Sequence, residues 1–72
     1  MYQRIKDLRE DSDLSQREIA EELNCSQQAY SNYELGQRDV PTAVLIRLAQ
    51  LHNTSVDYLL GLTKERNPYP RG

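Results

Sequence analysis

Two helix-start signals, at Ser15 and Ser26, constrain this chain more than anything else in it. Ser15 stands three residues before Glu18, the spacing of a capping box, in which the hydroxyl accepts the amide of residue 18 and the carboxylate accepts the amide of residue 15. Leu14 and Ile19 flank the box where a hydrophobic staple forms. A helix from Gln16 to Leu23 follows, burying Ile19, Ala20 and Leu23. It stops at Asn24, a residue type that tolerates left-handed backbone. Ser26 is then the N-cap of a second helix, Gln27 to Leu35, which Gly36 ends at the C′ position. Only Asn24, Cys25 and Ser26 separate the two helices. They must therefore cross steeply, with small Ala20 at the crossing and Ile19, Leu23, Cys25, Tyr30 and Tyr33 packing around it.

Helical periodicity covers the rest of the chain, with no alternating strand pattern. Residues 2–11 place Ile5 and Leu8 on one narrow stripe among charged residues. After the loop Gln37 to Val40, Pro41 is suited to the first turn of a helix. Residues 42–52 bury Leu45, Leu48 and Ala49, flank them with Val44 and Leu51, and point Ile46 away. Asn53 ends that helix, Ser55 caps the last one, Val56 and Leu59 are its inner face, and Gly61 closes it. The expected fold is all-α, a compact bundle of about five short helices in one domain over residues 1–63. A flexible tail over 64–72 is expected from Pro68, Pro70 and Gly72 among charges.

With 72 residues and a single cysteine, the chain has one modest core and no internal disulfide. A lone thiol such as Cys25 points to a reducing compartment or to a buried small residue. No stretch reaches the length of a membrane span or a signal-peptide core, so a soluble cytoplasmic protein is expected. His52, the only histidine, has no second histidine or cysteine pair to hold a metal and no nucleophile to serve, and reads as half-buried packing. No glycine-rich phosphate loop is present. Catalysis, cofactors, metals and small-molecule ligands are therefore not expected. The net charge of −2 runs against the basic balance usual in nucleic-acid-binding modules. Net charge governs long-range attraction, however, while contact affinity depends on where the charges sit.

The run Leu14-Ser15-Gln16-Arg17-Glu18-Ile19-Ala20, then Cys25-Ser26, then Tyr30-Ser31-Asn32-Tyr33-Glu34-Leu35-Gly36 resembles the phage Cro/repressor family of helix-turn-helix regulators. Leu45-Ile46-Arg47-Leu48-Ala49 and Ser55-Val56-Asp57-Tyr58-Leu59-Leu60-Gly61 agree with it, so the resemblance covers residues 2–62. It implies a lambda-repressor-like DNA-binding domain whose third helix, 27–35, enters the major groove while the helix 16–23 positions it. It also implies sequence-specific binding of double-stranded DNA as a symmetric dimer, and repression from a palindromic operator. The homodimer contact is expected around Leu35, Val40, Ile46 and the last helix, weak enough to need DNA.

By the same resemblance the base-reading positions fall on Gln27, Gln28 and Asn32, with Ser31 nearby. Gln and Asn side chains can pair bidentately with adenine N6 and N7. Phosphate contacts fall on Gln16, Ser26 and Arg38. No Lys or Arg occurs from Glu18 through Gln37, so phosphate neutralisation is expected from Arg4, Arg9, Arg17 and Arg38. Taken alone, the glutamines are ordinary solvated helix residues; the register around them gives them a role. The competing class is a protein-interaction module, such as an antitoxin or anti-repressor, which the acidic balance and an apolar Leu35 at the surface would suit.

Overall fold

The computed structural model describes residues 3–68, and in these the chain forms five helices: α1 (Gln3–Asp11), α2 (Gln16–Glu22), α3 (Gln27–Leu35), α4 (Thr42–Leu51) and α5 (Val56–Leu59). There is no strand among the described residues. Tyr2, the first residue of the expected N-terminal helix, and positions 69–72 of the expected tail lie outside the described residues.

The caps explain where the helices begin. The Ser15 hydroxyl accepts the Glu18 amide at 3.1 Å and Glu18 accepts the Ser15 amide at 3.0 Å, so the capping box closes in both directions. Ser26 and Ser55 each accept an amide three residues on, that of Ala29 and that of Tyr58. Pro41 occupies the N-cap of α4, one position earlier than the first-turn place expected for it. Its backbone is extended there, with ψ of 149°.

One device recurs at the helix ends. Asp13, Asn24, Gly36, Asn53 and Gly61 all have positive φ, between 53° and 79°. After each, the next amide reaches back to the carbonyl five residues before it: Leu14 to Arg9, Cys25 to Ala20, Gln37 to Asn32, Thr54 to Ala49 and Leu62 to Asp57. This is the Schellman closure, which satisfies carbonyls the helix leaves open and turns the chain sharply. Two such closures, each followed directly by a serine cap, give the tight turns before α3 and α5. Leu23 is the C-cap of α2 rather than its last helical residue and is half-buried, since the chain has already begun to turn.

Every helix contributes to one core: Ile5 and Leu8 from α1, Ile19 and Ala20 from α2, Tyr30 and Tyr33 from α3, Leu45, Leu48 and Ala49 from α4, and Leu59 from α5. Val40, in the loop before α4, belongs to this core at 8% exposure. Expected on the dimer surface, it instead plugs the junction because the turn at Gly36 sends the loop back over the bundle. Cys25 and Val56 are partly buried rather than fully so, packed on the rim of the core. α2 packs against α3, α4 against α5, and α1 against both α3 and α5. Within the expected tail, Arg66 pairs with Asp11 at 3.7 Å and its carbonyl accepts the buried Thr54 hydroxyl.

Candidate nucleic-acid interface

Helix α3 owes its orientation to a division between its two sides. Residues advance about 100° per position around a helix. That sets Tyr30, Tyr33 and Glu34 on one arc, and Gln27, Gln28, Ser31, Asn32 and Leu35 on the other. The first three are buried. Gln27 and Gln28 are exposed, and Ser31 and Asn32 are half-buried at the edge of the outer arc. The inner arc packs toward α2, whose Ala20, at 2% exposure, shares one core cluster with both tyrosines.

The outer arc carries no charge. The Gln28 amide donates to the Asn32 carbonyl oxygen at 3.2 Å, four residues on. This bond pre-orients both side chains and leaves one Gln28 N–H, the Gln28 carbonyl oxygen and the Asn32 amino group unengaged. The result is a short row of donors and acceptors, the kind of surface that matches base edges rather than phosphates.

The cations expected to meet phosphate do not all stand ready. Arg9 donates to Glu34 through Nε at 2.7 Å and through Nη2 at 3.2 Å. Its Nη1 holds the Leu14 carbonyl at 3.0 Å. Arg4 donates to the carbonyls of Tyr58 and Thr63 and stacks over the Tyr58 ring at 4.2 Å. Both arginines therefore serve the fold, correcting the expectation that they neutralise DNA. Arg17 pairs only loosely, at 3.4 Å with Glu21, and is 78% exposed. Arg38 is exposed just past the end of α3 and forms no ion pair among the described residues. Ser26 spends its hydroxyl as an acceptor for Ala29. Gln16, the first residue of α2, donates to Glu34 at 3.1 Å.

Glu34 is the residue that sequence reasoning passed over. It is 4% exposed and accepts from two side chains on two other helices. Burial pushes its carboxyl toward the neutral form, but the hydrogen bonds from Arg9 and Gln16 and the charge of Arg9 more than offset this and hold it below its ordinary value. The Arg9 bond to Glu34, against the opposing effect of burial, raises the guanidinium correspondingly. The Tyr30 hydroxyl is buried beside the pair without a hydrogen-bond partner. Burial first, and the neighbouring Glu34 charge next, keep it protonated. A signal for Glu34 did exist: four residues after Tyr30 and next to Tyr33, it lies on the buried stripe, and a carboxylate there requires a cation. Burial also raises the Cys25 thiol, which favours its protonated form.

Comparison with known proteins identifies the family. The family described as helix-turn-helix matches residues 5–59. The HTH-type transcriptional regulator ImmR of Bacillus subtilis (strain 168) is 45% identical over 58 residues, covering 81% of this chain and 46% of that protein. The uncharacterized HTH-type transcriptional regulator YobD of the same organism is 38% identical over 69 residues, covering 94% of this chain and 62% of its own length. A third, the uncharacterized HTH-type transcriptional regulator YqaE, also from Bacillus subtilis, is 36% identical over 56 residues, covering 78% of this chain and 48% of that protein. The chain thus spans about half to three-fifths of the length of the relatives it matches. The matched span runs from the core residue Ile5 to the core residue Leu59 and takes in the α2–turn–α3 unit whole, and on that match the chain belongs to the helix-turn-helix family of the Cro/C1 type.

Proposed function

We propose that this chain binds double-stranded DNA sequence-specifically and regulates transcription, with α3 lying in the major groove and α2 across its edge. The observation that carries the reading is the uncharged outer arc of α3, where Gln28 and Asn32 are joined at 3.2 Å on the side opposite the buried tyrosines. Gln27, Gln28, Ser31 and Asn32 read bases; Gln16, Arg17, Ser26 and Arg38 meet phosphates, with the amides of α3's first turn adding favourable dipole. The chain acts without catalysis, and a family named for a structural motif, with relatives named as transcriptional regulators rather than for a reaction, supports this.

Regulation is by repression from a palindromic operator. One copy covers too little DNA for high specificity, and two copies related by a two-fold axis read half-sites about 34 Å apart, one helical turn. Leu35, Ile46 and Leu62 are 56%, 48% and 73% exposed and supply apolar surface for the self-contact, which forms on DNA. Selection of bound sites from a random duplex pool tests the proposal. Recovery of a symmetric motif supports it. Recovery of no motif, with binding that is insensitive to sequence, removes α3 as a reader.

A further inference from the structure

The geometry points to Arg9 and Gln16, acting through Glu34, as positioning residues that fix how α3 presents its outer arc, and hence how well the protein discriminates one DNA sequence from another. This rests on the reading of α3 as the base-reading helix. Glu34 lies in the last turn of α3 with its side chain 3% exposed. Its carboxylate accepts Arg9 Nε at 2.7 Å and Arg9 Nη2 at 3.2 Å from α1, and Gln16 Nε2 at 3.1 Å from the start of α2. The same guanidinium holds the Leu14 carbonyl at 3.0 Å, in the connection between α1 and α2. One carboxylate thus ties α3 to both helices behind it.

The tyrosine packing beneath α3 cannot do this alone. Apolar burial is non-directional and tolerates a roll of the helix about its axis, whereas a charge-assisted fork of hydrogen bonds does not. On a helix about 10–12 Å across, a roll of about 20° carries a side-chain tip roughly 2 Å. Hydrogen bonds to a base edge do not survive such a displacement. Stability alone does not account for the choice of an ion pair, because apolar residues of the same volume are commonly just as stabilising.

The test is the double variant Arg9→Met with Glu34→Leu, which removes one charge of each sign and keeps the net charge at −2. Circular dichroism checks that it folds. Binding is then measured to the duplex selected by the wild-type protein and to a random duplex at the same salt. The expected result is a loss of about tenfold on the selected duplex, the scale of one mispaired base contact, with affinity for random DNA and the salt slope unchanged. A folded variant with an unchanged ratio between the two duplexes overturns the inference. Gln16→Ala, which leaves the ion pair intact, is the second probe should the double variant not fold. A smaller fall in the ratio supports positioning; equal losses on both duplexes mean that Gln16 touches phosphate only and overturn it. Failure of the wild-type protein to select any duplex overturns the reading of α3 itself, before any variant is made.

Discussion

The Arg9 guanidinium and the Glu34 carboxylate, 25 residues apart in the chain, meet at 2.7 Å between α1 and α3, with side chains only 14% and 3% exposed. A carboxyl held below its ordinary value in the folded protein binds its proton less readily than in the unfolded chain. It therefore stabilises the fold at pH above about 4.5, the ordinary value, and that contribution is lost as pH falls through the lower folded value. Glu34→Gln should cost about 3 kcal/mol at neutral pH, because Arg9 is left buried without its counter-charge. It should also flatten the acid limb of stability below that point. Urea unfolding of both proteins between neutral and acid pH measures each effect.

His52 acts at higher pH, with the opposite charge. It follows α4 as its C-cap, its Nε2 buried without a hydrogen-bond partner. Burial, and secondarily the charge of Arg66, hold its pKa below 6.5. The unfolded chain then takes up a proton that the folded protein refuses, so stability is lost as pH falls below about 6.5. Acid should thus destabilise in two stages, His52 first and Glu34 second. His52→Gln should abolish the first stage and leave the second, as read from melting midpoints across the pH range.

Ala20 is buried at 2% exposure on α2, which packs against α3. Ala20→Leu should overpack the crossing and cost about 1–3 kcal/mol. Thermal unfolding decides it: an unchanged midpoint means that the residue is not at the crossing.

The left-handed closures give a prediction about backbone alone. Asn24 has φ of 58° and Asp13 φ of 56°. Asn24→Ala should destabilise by about 1 kcal/mol, since an ordinary side chain is strained there. Asp13→Gly should raise the melting midpoint, because glycine enters that region at no steric cost. If Ala and Gly at position 24 melt alike, the turn between α2 and α3 is not built this way.

The capped helices were legible because their signals are local. The hydroxyls of Ser15, Ser26 and Ser55 accept amides only three residues on, and Asn24, Gly36, Asn53 and Gly61 are residue types that accept positive φ. Asp13, which takes positive φ as well, gave no such signal beside the acidic residues Glu10 and Asp11. The partners of Arg4 and Arg9 lie 54 and 25 residues away, and no periodicity reports a contact over that distance. Val40 was misplaced for a related reason: loop residues carry no helical phase, and only the direction taken after Gly36 sends its side chain inward. The arc Gln27, Gln28, Ser31 and Asn32 stood out only through the family register, since taken alone these are ordinary solvated helix residues. Its fixed orientation was not legible, since that depends on Glu34 finding Arg9 and Gln16.

A pair of salt titrations tests the central claim most directly, on the selected duplex and on random duplex, for Gln28→Ala and Arg38→Ala. Amides carry no net charge and add little general attraction to phosphate. Gln28→Ala should therefore lose about 1–3 kcal/mol on the selected duplex alone, with its salt slope intact. Arg38→Ala should weaken both duplexes alike and make the slope shallower by about one contact. If Gln28→Ala instead weakens both duplexes equally, or neither, then α3 does not read DNA sequence.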